Sequence, residues 1–128
     1  MHYAILCYDS EEVISAWSKD KDDQVMHDLG EVQDRLIEQN RLGPVARLMP
    51  TTAAVSLRKG HDALIIDGPF AETKEQLLGF YTVECDTLDD AIDAAKKLAA
   101  ASGSAGCFEI RPMMIFIPDR RTAVSNTP

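Results

Sequence analysis

Asp67-Gly68-Pro69-Phe70-Ala71-Glu72-Thr73-Lys74-Glu75-Gln76 is the stretch around which the rest of the chain arranges itself. It puts a strand-ending acid, a forced turn, an aromatic ring and the charged side chains Glu72, Lys74 and Glu75 into one short run. Glycine takes positive φ readily; proline fixes its own φ and pushes the residue before it away from helix. The run therefore predicts a defined turn that aims Asp67, Glu72 and Lys74 from a rigid support, the setting in which binding sites tend to be built. Ile65 and Ile66 precede it, and Leu77, Leu78, Phe80, Tyr81 and Val83 follow, so apolar segments flank it on both sides.

Upstream, Ala53–Arg58 and Ala63–Asp67 read as paired strands, with Lys59-Gly60-His61-Asp62 as the hairpin turn between them. Downstream, Thr73-x-x-Gln76 has the form of a capping box and predicts one short helical turn before a strand over Leu78–Cys85. Thr87-Leu88-Asp89-Asp90 opens a helix with acids at its positive end, and Leu88, Ala91, Ile92, Ala95, Leu98 and Ala99 give it a broad apolar face. Ser102-Gly103-Ser104 ends that helix, and Phe108–Phe116 is the last predicted strand.

The N-terminal half supplies the remaining elements. Tyr3–Tyr8 is apolar and β-prone, residues 10–23 form a loop or short helical turn, and Asp23–Asn40 carries Val25, Leu29, Val32 and Leu36 on one helical stripe. Gly43-Pro44 is expected to stop that helix. Two helices able to cover one face of a small sheet predict a two-layer α+β fold. Its other sheet face would be bare, and pairing two sheets face to face removes that liability, so a homodimer through the sheet faces is expected.

The chain of 128 residues is sized for one domain, here 1–117, with a polar C-terminal tail over 118–128. Its 45% hydrophobic and 27% charged content is enough for one core. A formal charge of −8 argues against direct binding to nucleic acid, which needs basic side chains on phosphates, yet a single arginine in a cleft can still hold a small anion. No apolar run approaches the roughly 20 residues of a membrane span, and no basic leader stands at the N-terminus, so a cytoplasmic protein is expected. Cys7, Cys85 and Cys107 are far apart, form no CxxC pair and are read as small buried hydrophobes.

Together with Gly79-Phe80-Tyr81, the acid-rich Leu88-Asp89-Asp90-Ala91 and the closing Glu109-Ile110-Arg111-Pro112, the Asp67–Gln76 run resembles the YCII-related family, in the branch marked by a DGPF motif. The resemblance covers about residues 2–115. It implies a ferredoxin-like sandwich, an antiparallel sheet with two main helices on one face, dimerising into an α/β barrel. Some relatives are linked to alternative sigma factors, which makes a regulatory or interaction module with a protein partner the alternative to a small-molecule enzyme. A distant relative with this fold acts on chlorinated lactones. Other members carry a helix histidine proposed to act with an aspartate; at the matching spacing this chain has Leu29, and His27 stands two residues away.

As an enzyme or binding protein, the chain would hold a small carboxylate or lactone with Arg111 or Lys74, with Glu72 and Phe70 completing the binding side chains. Asp67, with Asp9 or His27, would act as acid and base. Each residue also has a structural reading. Asp67 can simply fix its turn, Glu72, Lys74 and Glu75 can be a surface ion-pair cluster worth about 0–1 kcal/mol per pair, and Arg111 can bridge to Glu109. His27 lies about 200° round the helix from the inward stripe, beside Asp23, Asp28 and Glu31, which predicts a solvated side chain. Asp9, at the end of the first strand, would converge on the same rim as Arg111. No phosphate-cradling glycine loop, nucleophile elbow or metal-ligand spacing is present, and His2 and His61 stand isolated, so neither cofactor nor metal is expected. Phe80-Tyr81 and Met113-Met114 are assigned to core and dimer seam.

Overall fold

A computed structural model describes residues 1–60 and 62–119. The predicted turn residue His61 and the tail from residue 120 onward lie outside the described residues. The elements run β1 (His2–Asp9), α1 (Glu11–Ser15), α2 (Lys19–Glu38), β2 (Leu42–Arg47), β3 (Val55–Arg58), β4 (Leu64–Asp67), β5 (Gln76–Glu84), α3 (Leu88–Ala101) and β6 (Cys107–Pro112). Four strands form one antiparallel sheet in the order β2-β5-β1-β6, while β3 and β4 pair separately as a two-stranded arm. With both long helices against one face, the four-stranded unit is the predicted ferredoxin-like α+β sandwich.

The two long helices start where their caps dictate. Ser18 accepts from the amide of Lys21 at the head of α2, and Thr87 accepts from Asp90 at the head of α3, each satisfying a donor that the first turn leaves unpaired. Helix α1 is the short helical turn that was one of the two expectations for residues 10–23, and α2 begins at Lys19, earlier than the apolar stripe alone indicated. Its end is set by Asn40 rather than by Gly43-Pro44. Asn40 takes φ +56, its amide donates to Ile37, and the amide of Arg41 donates to Leu36, the pattern of a left-handed helix stop.

Gly43 and Pro44 instead lie inside β2, a strand that sequence reading passed over. The register of β2 on β5 shifts between Leu42 and Val45, so the glycine–proline pair forms a bulge on an edge strand, where a missing donor costs least. A Cβ on Gly43 would lie 2.5 Å from the Thr82 hydroxyl, which donates to the Pro44 carbonyl at 2.7 Å. Two further expectations are corrected. The capping-box residues start no helix: the Thr73 hydroxyl donates to the Glu75 carbonyl, the Gln76 side-chain Nε2 donates to the Thr73 carbonyl, and β5 begins directly at Gln76. The last strand ends at Pro112 instead of Phe116.

The core lies between sheet and helices. Tyr3 and Ile5 from β1 and Tyr81 and Val83 from β5 meet Val32 and Leu36 from α2 and Ala91, Ala94, Ala95 and Leu98 from α3. The small residues of α3 let it approach the sheet closely, and Ile5, Val83 and Leu98 are fully enclosed. The opposite sheet face, carrying Ala4, Leu6, Phe80 and Thr82 with Glu109 and Arg111, has no helix over it. Cys85 is buried as expected and Cys7 half-buried, but Cys107 is exposed, because β6 turns it to that uncovered face.

Candidate functional site

On β1, side chains alternate, so Tyr3, Ile5, Cys7 and Asp9 share the helix side of the sheet. The first three meet the core, and the fourth runs past its end into a groove. The register of β1 on β5 jumps from Cys7–Gly79 to Tyr8–Leu77, which leaves Leu78 as an extra residue that kinks β5, and pairing resumes through Asp9–Gln76. Beside this kink lies a cavity of about 150 Å³ between the sheet and α2. That is about the size that accommodates one aromatic ring. Ile14, Trp17, Val25, Leu29, Val45 and Phe108 make its walls apolar.

A few polar groups converge there: Asp9 and Cys7 from β1, Tyr81 from β5, Gln33 from α2, and Arg47 from β2 with Asp22 of α2. Asp9 is the one buried carboxylate among the described residues, at 9% exposure. Its carboxylate accepts from the amide of Ser10 at 2.7 Å. Gly106, at φ +99, passes over it so closely that a Cβ there would lie 2.4 Å from the Tyr8 carbonyl and 2.8 Å from the Asp9 carboxyl carbon. Only glycine fits that crossing.

Burial pushes the Cys7 thiol up to about 12. It also pushes Tyr81 up to about 12, with the neighbouring Cys7 raising it further and a hydrogen bond to Gln33 and the charge of Arg47 opposing. Both groups are neutral at physiological pH. Cys7 is thereby a weak thiol donor and no nucleophile, and Tyr81 is a fixed hydroxyl on the groove wall. Arg47 stands at the mouth, donating to Asp22 at 3.1 Å and to the Met26 sulfur at 3.3 Å. It is about half exposed, so its remaining donors can meet an incoming anion.

The candidates from the sequence divide around this groove. Asp9 lines it; Asp67, Glu72, Lys74, Phe70, Arg111 and His27 do not. Asp67 closes β4 opposite Val55 and is exposed, and Phe70 is 81% exposed on the turn that follows. Glu72, Lys74 and Glu75 are exposed and, among the described residues, make no ion pair. Arg111 bridges to Glu109 on the uncovered sheet face. His27 points outward, as its helical position predicts, and bridges to Glu31 at 3.1 Å. The Asp67–Gln76 run is nonetheless tied to the rim of the groove. Glu11, two residues after Asp9, accepts from the amide and hydroxyl of Thr51 at 2.7 Å, and its own amide donates to the Gln76 side chain at 2.9 Å. Both ends of the segment that contains the β3–β4 arm are therefore anchored beside Asp9. Among the described residues no cluster of side chains suited to a metal ion occurs, and no helix is long and apolar enough to cross a membrane.

Fold and groove define an α+β sandwich with a small, mostly apolar pocket on the helix side of its sheet. The family model of the YCII-related domain matches residues 1–117, and the chain belongs to that family. An uncharacterized protein of Rhizobium meliloti (strain 1021) is 54% identical over 119 residues, covering 92% of this chain and 96% of that one.

Proposed function

We propose that this protein, as a DGPF-type member of its family in the cytoplasm, binds a small carboxylate or lactone with an apolar body in the groove beside Asp9 and moves a proton on it. The observation that carries this is the buried Asp9 carboxylate at the end of an apolar groove. A carboxylate held there is shielded from bulk water and stays beside whatever fills the cavity. Arg47 at the mouth suits the ligand's anionic group, and the neutral Tyr81 hydroxyl suits a carbonyl oxygen. Asp9 would take the proton from the ligand, or from a water aimed at a lactone carbonyl, and return it to the product.

The test is a thermal-shift screen of small aromatic and aliphatic carboxylates and lactones on the wild-type protein, Asp9→Asn and Arg47→Ala. A ligand at 100 times its dissociation constant adds about 2.7 kcal/mol to the native state. Arg47→Ala should weaken carboxylate binding by about tenfold or more, while Asp9→Asn should retain binding and lose any turnover. Hits that are indifferent to both substitutions would remove the groove from consideration.

A specific observation also supports the alternative, an interaction module. The β3–β4 arm and Phe70 present apolar side chains to solvent, a surface suited to a protein partner. The uncovered sheet face supports a homodimer through the sheets as the first such partnership.

A further inference from the structure

At one level of the sheet the register brings Arg47 of β2, Gly79 of β5, Cys7 of β1 and Phe108 of β6 into a single row on the helix side. The next row towards the core is Val45, Tyr81, Ile5 and Ile110, with a large side chain at every position. The first row has none at Gly79. A Cβ there would stand 2.3 Å from the Ala46 carbonyl oxygen and 3.1 Å from the Arg47 Cα, so only glycine fits where β2 and β5 approach. Gly79 lines the groove, and its floor at this point is bare backbone between a cation and a thiol.

The walls favour a ring. Trp17, Tyr81 and Phe108 line the groove, and the rings of Tyr81 and Phe108 meet at 6.5 Å and 52°, leaving an edge and a face for a third. The charges favour a single anion. Among the described residues lining the groove Arg47 is the sole cation, against the acids Asp9 and Asp22. Asp22 already holds the guanidinium at 3.1 Å, so one further carboxylate can share Arg47. A second would face Asp9 or Asp22 with no cation to meet it. The register also sets the spacing. Arg47 lies two strands over from β1 and Asp9 two residues beyond Cys7, offsets of roughly 10 Å and roughly 7 Å. The arginine side chain and one aromatic ring span that diagonal.

We propose that the groove selects a flat aromatic monocarboxylate: its carboxylate is held by Arg47, its ring lies on the Gly79 backbone beneath α2, and its proton-donating group, across the ring, faces Asp9. Asp22 sets the charge count, because by occupying part of Arg47 it leaves room for one carboxylate and repels a second. This inference rests on the groove reading above and narrows its ligand from any small carboxylate or lactone to that class. It also gives the run Gly79-Phe80-Tyr81 a part in binding, since Gly79 opens the floor and Tyr81 closes the core side.

Titrations of the full chain with benzoate, 4-hydroxybenzoate, cyclohexanecarboxylate and terephthalate test it, read by backbone amide shifts, with circular dichroism to confirm that each variant is folded. The wild-type chain should bind benzoate about tenfold more tightly than terephthalate, through like-charge repulsion, and about threefold more tightly than cyclohexanecarboxylate, through its ring contacts. Asp22→Asn should bring terephthalate to within about threefold of benzoate. The hydroxyl of 4-hydroxybenzoate should add about tenfold in the wild-type chain and nothing in Asp9→Ala. Wild-type affinity for terephthalate or cyclohexanecarboxylate equal to that for benzoate would overturn the ligand class and leave the groove as an anion site. A hydroxyl advantage that survives Asp9→Ala would overturn the orientation. A panel in which no member moves the groove amides would overturn this inference and the groove reading together.

Discussion

The two faces of apolar strand in this molecule have opposite fates. Tyr3 and Ile5 on β1 are as good strand formers as Leu57 and Ile65 on the arm, yet the first pair is buried and the second lies in solvent. The difference is not propensity but what stands opposite. The small residues Ala91, Ala94 and Ala95 bring α3 down onto β1, whereas nothing in the described chain is placed over the arm. Burial is thus a property of the pairing of elements, and a segment rich in β-branched residues can be an interface element as easily as a core strand.

Substitutions should separate the two regions sharply. Leu98 is fully enclosed, and Leu98→Ala should cost about 2–5 kcal/mol in urea unfolding, because the cavity it leaves cannot collapse against a close-packed sheet. Ile65→Ala, measured at a protein concentration where copies are separated, should change stability by about 0.5 kcal/mol or less. A large loss at Ile65 in the separated chain would mean that the arm packs on its own domain.

A smaller effect sharpens the comparison from the core side, at the groove. The Cys7 thiol has an ordinary value of 9.0 and is raised to about 12, and Tyr81 is raised from 10.0 to about 12, both chiefly by burial. The unfolded chain loses these protons first. Between about pH 9 and 12 the folded state therefore binds more protons than the unfolded one, and stability falls as pH rises; below pH 9 neither group contributes a slope. Denaturation midpoints from pH 8 to 11 should drop for the wild-type chain and drop less for Cys7→Ala, which has one fewer buried acid to ionise. An equal slope in the two proteins would place Cys7 in contact with water.

Much of this was legible in the sequence, and the reasons for the rest are specific. The stripe Val25, Leu29, Val32 and Leu36 and the alanine-rich face of α3 announced the helices, because periodicity survives without tertiary information. Strand β2 did not, since Gly43-Pro44 has the same signature whether it ends a helix or bulges an edge strand, and Asn40 had already ended the helix. The dense charge of Asp67–Gln76 drew attention to the arm, but density of charge says nothing about burial. Asp9 continues the alternation Tyr3, Ile5, Cys7 on β1, which places it on the core side, and Gln33 stands one helical repeat from Leu29. Taken together those two signals mark the groove, but the sequence reading placed Asp9 on a rim and did not use Gln33. Its completion by Arg47, Tyr81 and Gly106 depends on the bulge at Leu78 and the crossing at β6, and both are set by pairing between distant segments.

The central claim is that small molecules enter the groove beside Asp9, while the Asp67–Gln76 run serves the arm. Backbone amide chemical-shift mapping with a panel of small aromatic carboxylates tests it most directly. The account predicts saturable shifts at Cys7, Asp9, Val25, Arg47 and Tyr81, with the amides of Asp67, Phe70 and Lys74 unmoved. Shifts gathered instead at Asp67, Phe70, Lys74 and Arg111 would contradict it and return the binding site to the arm.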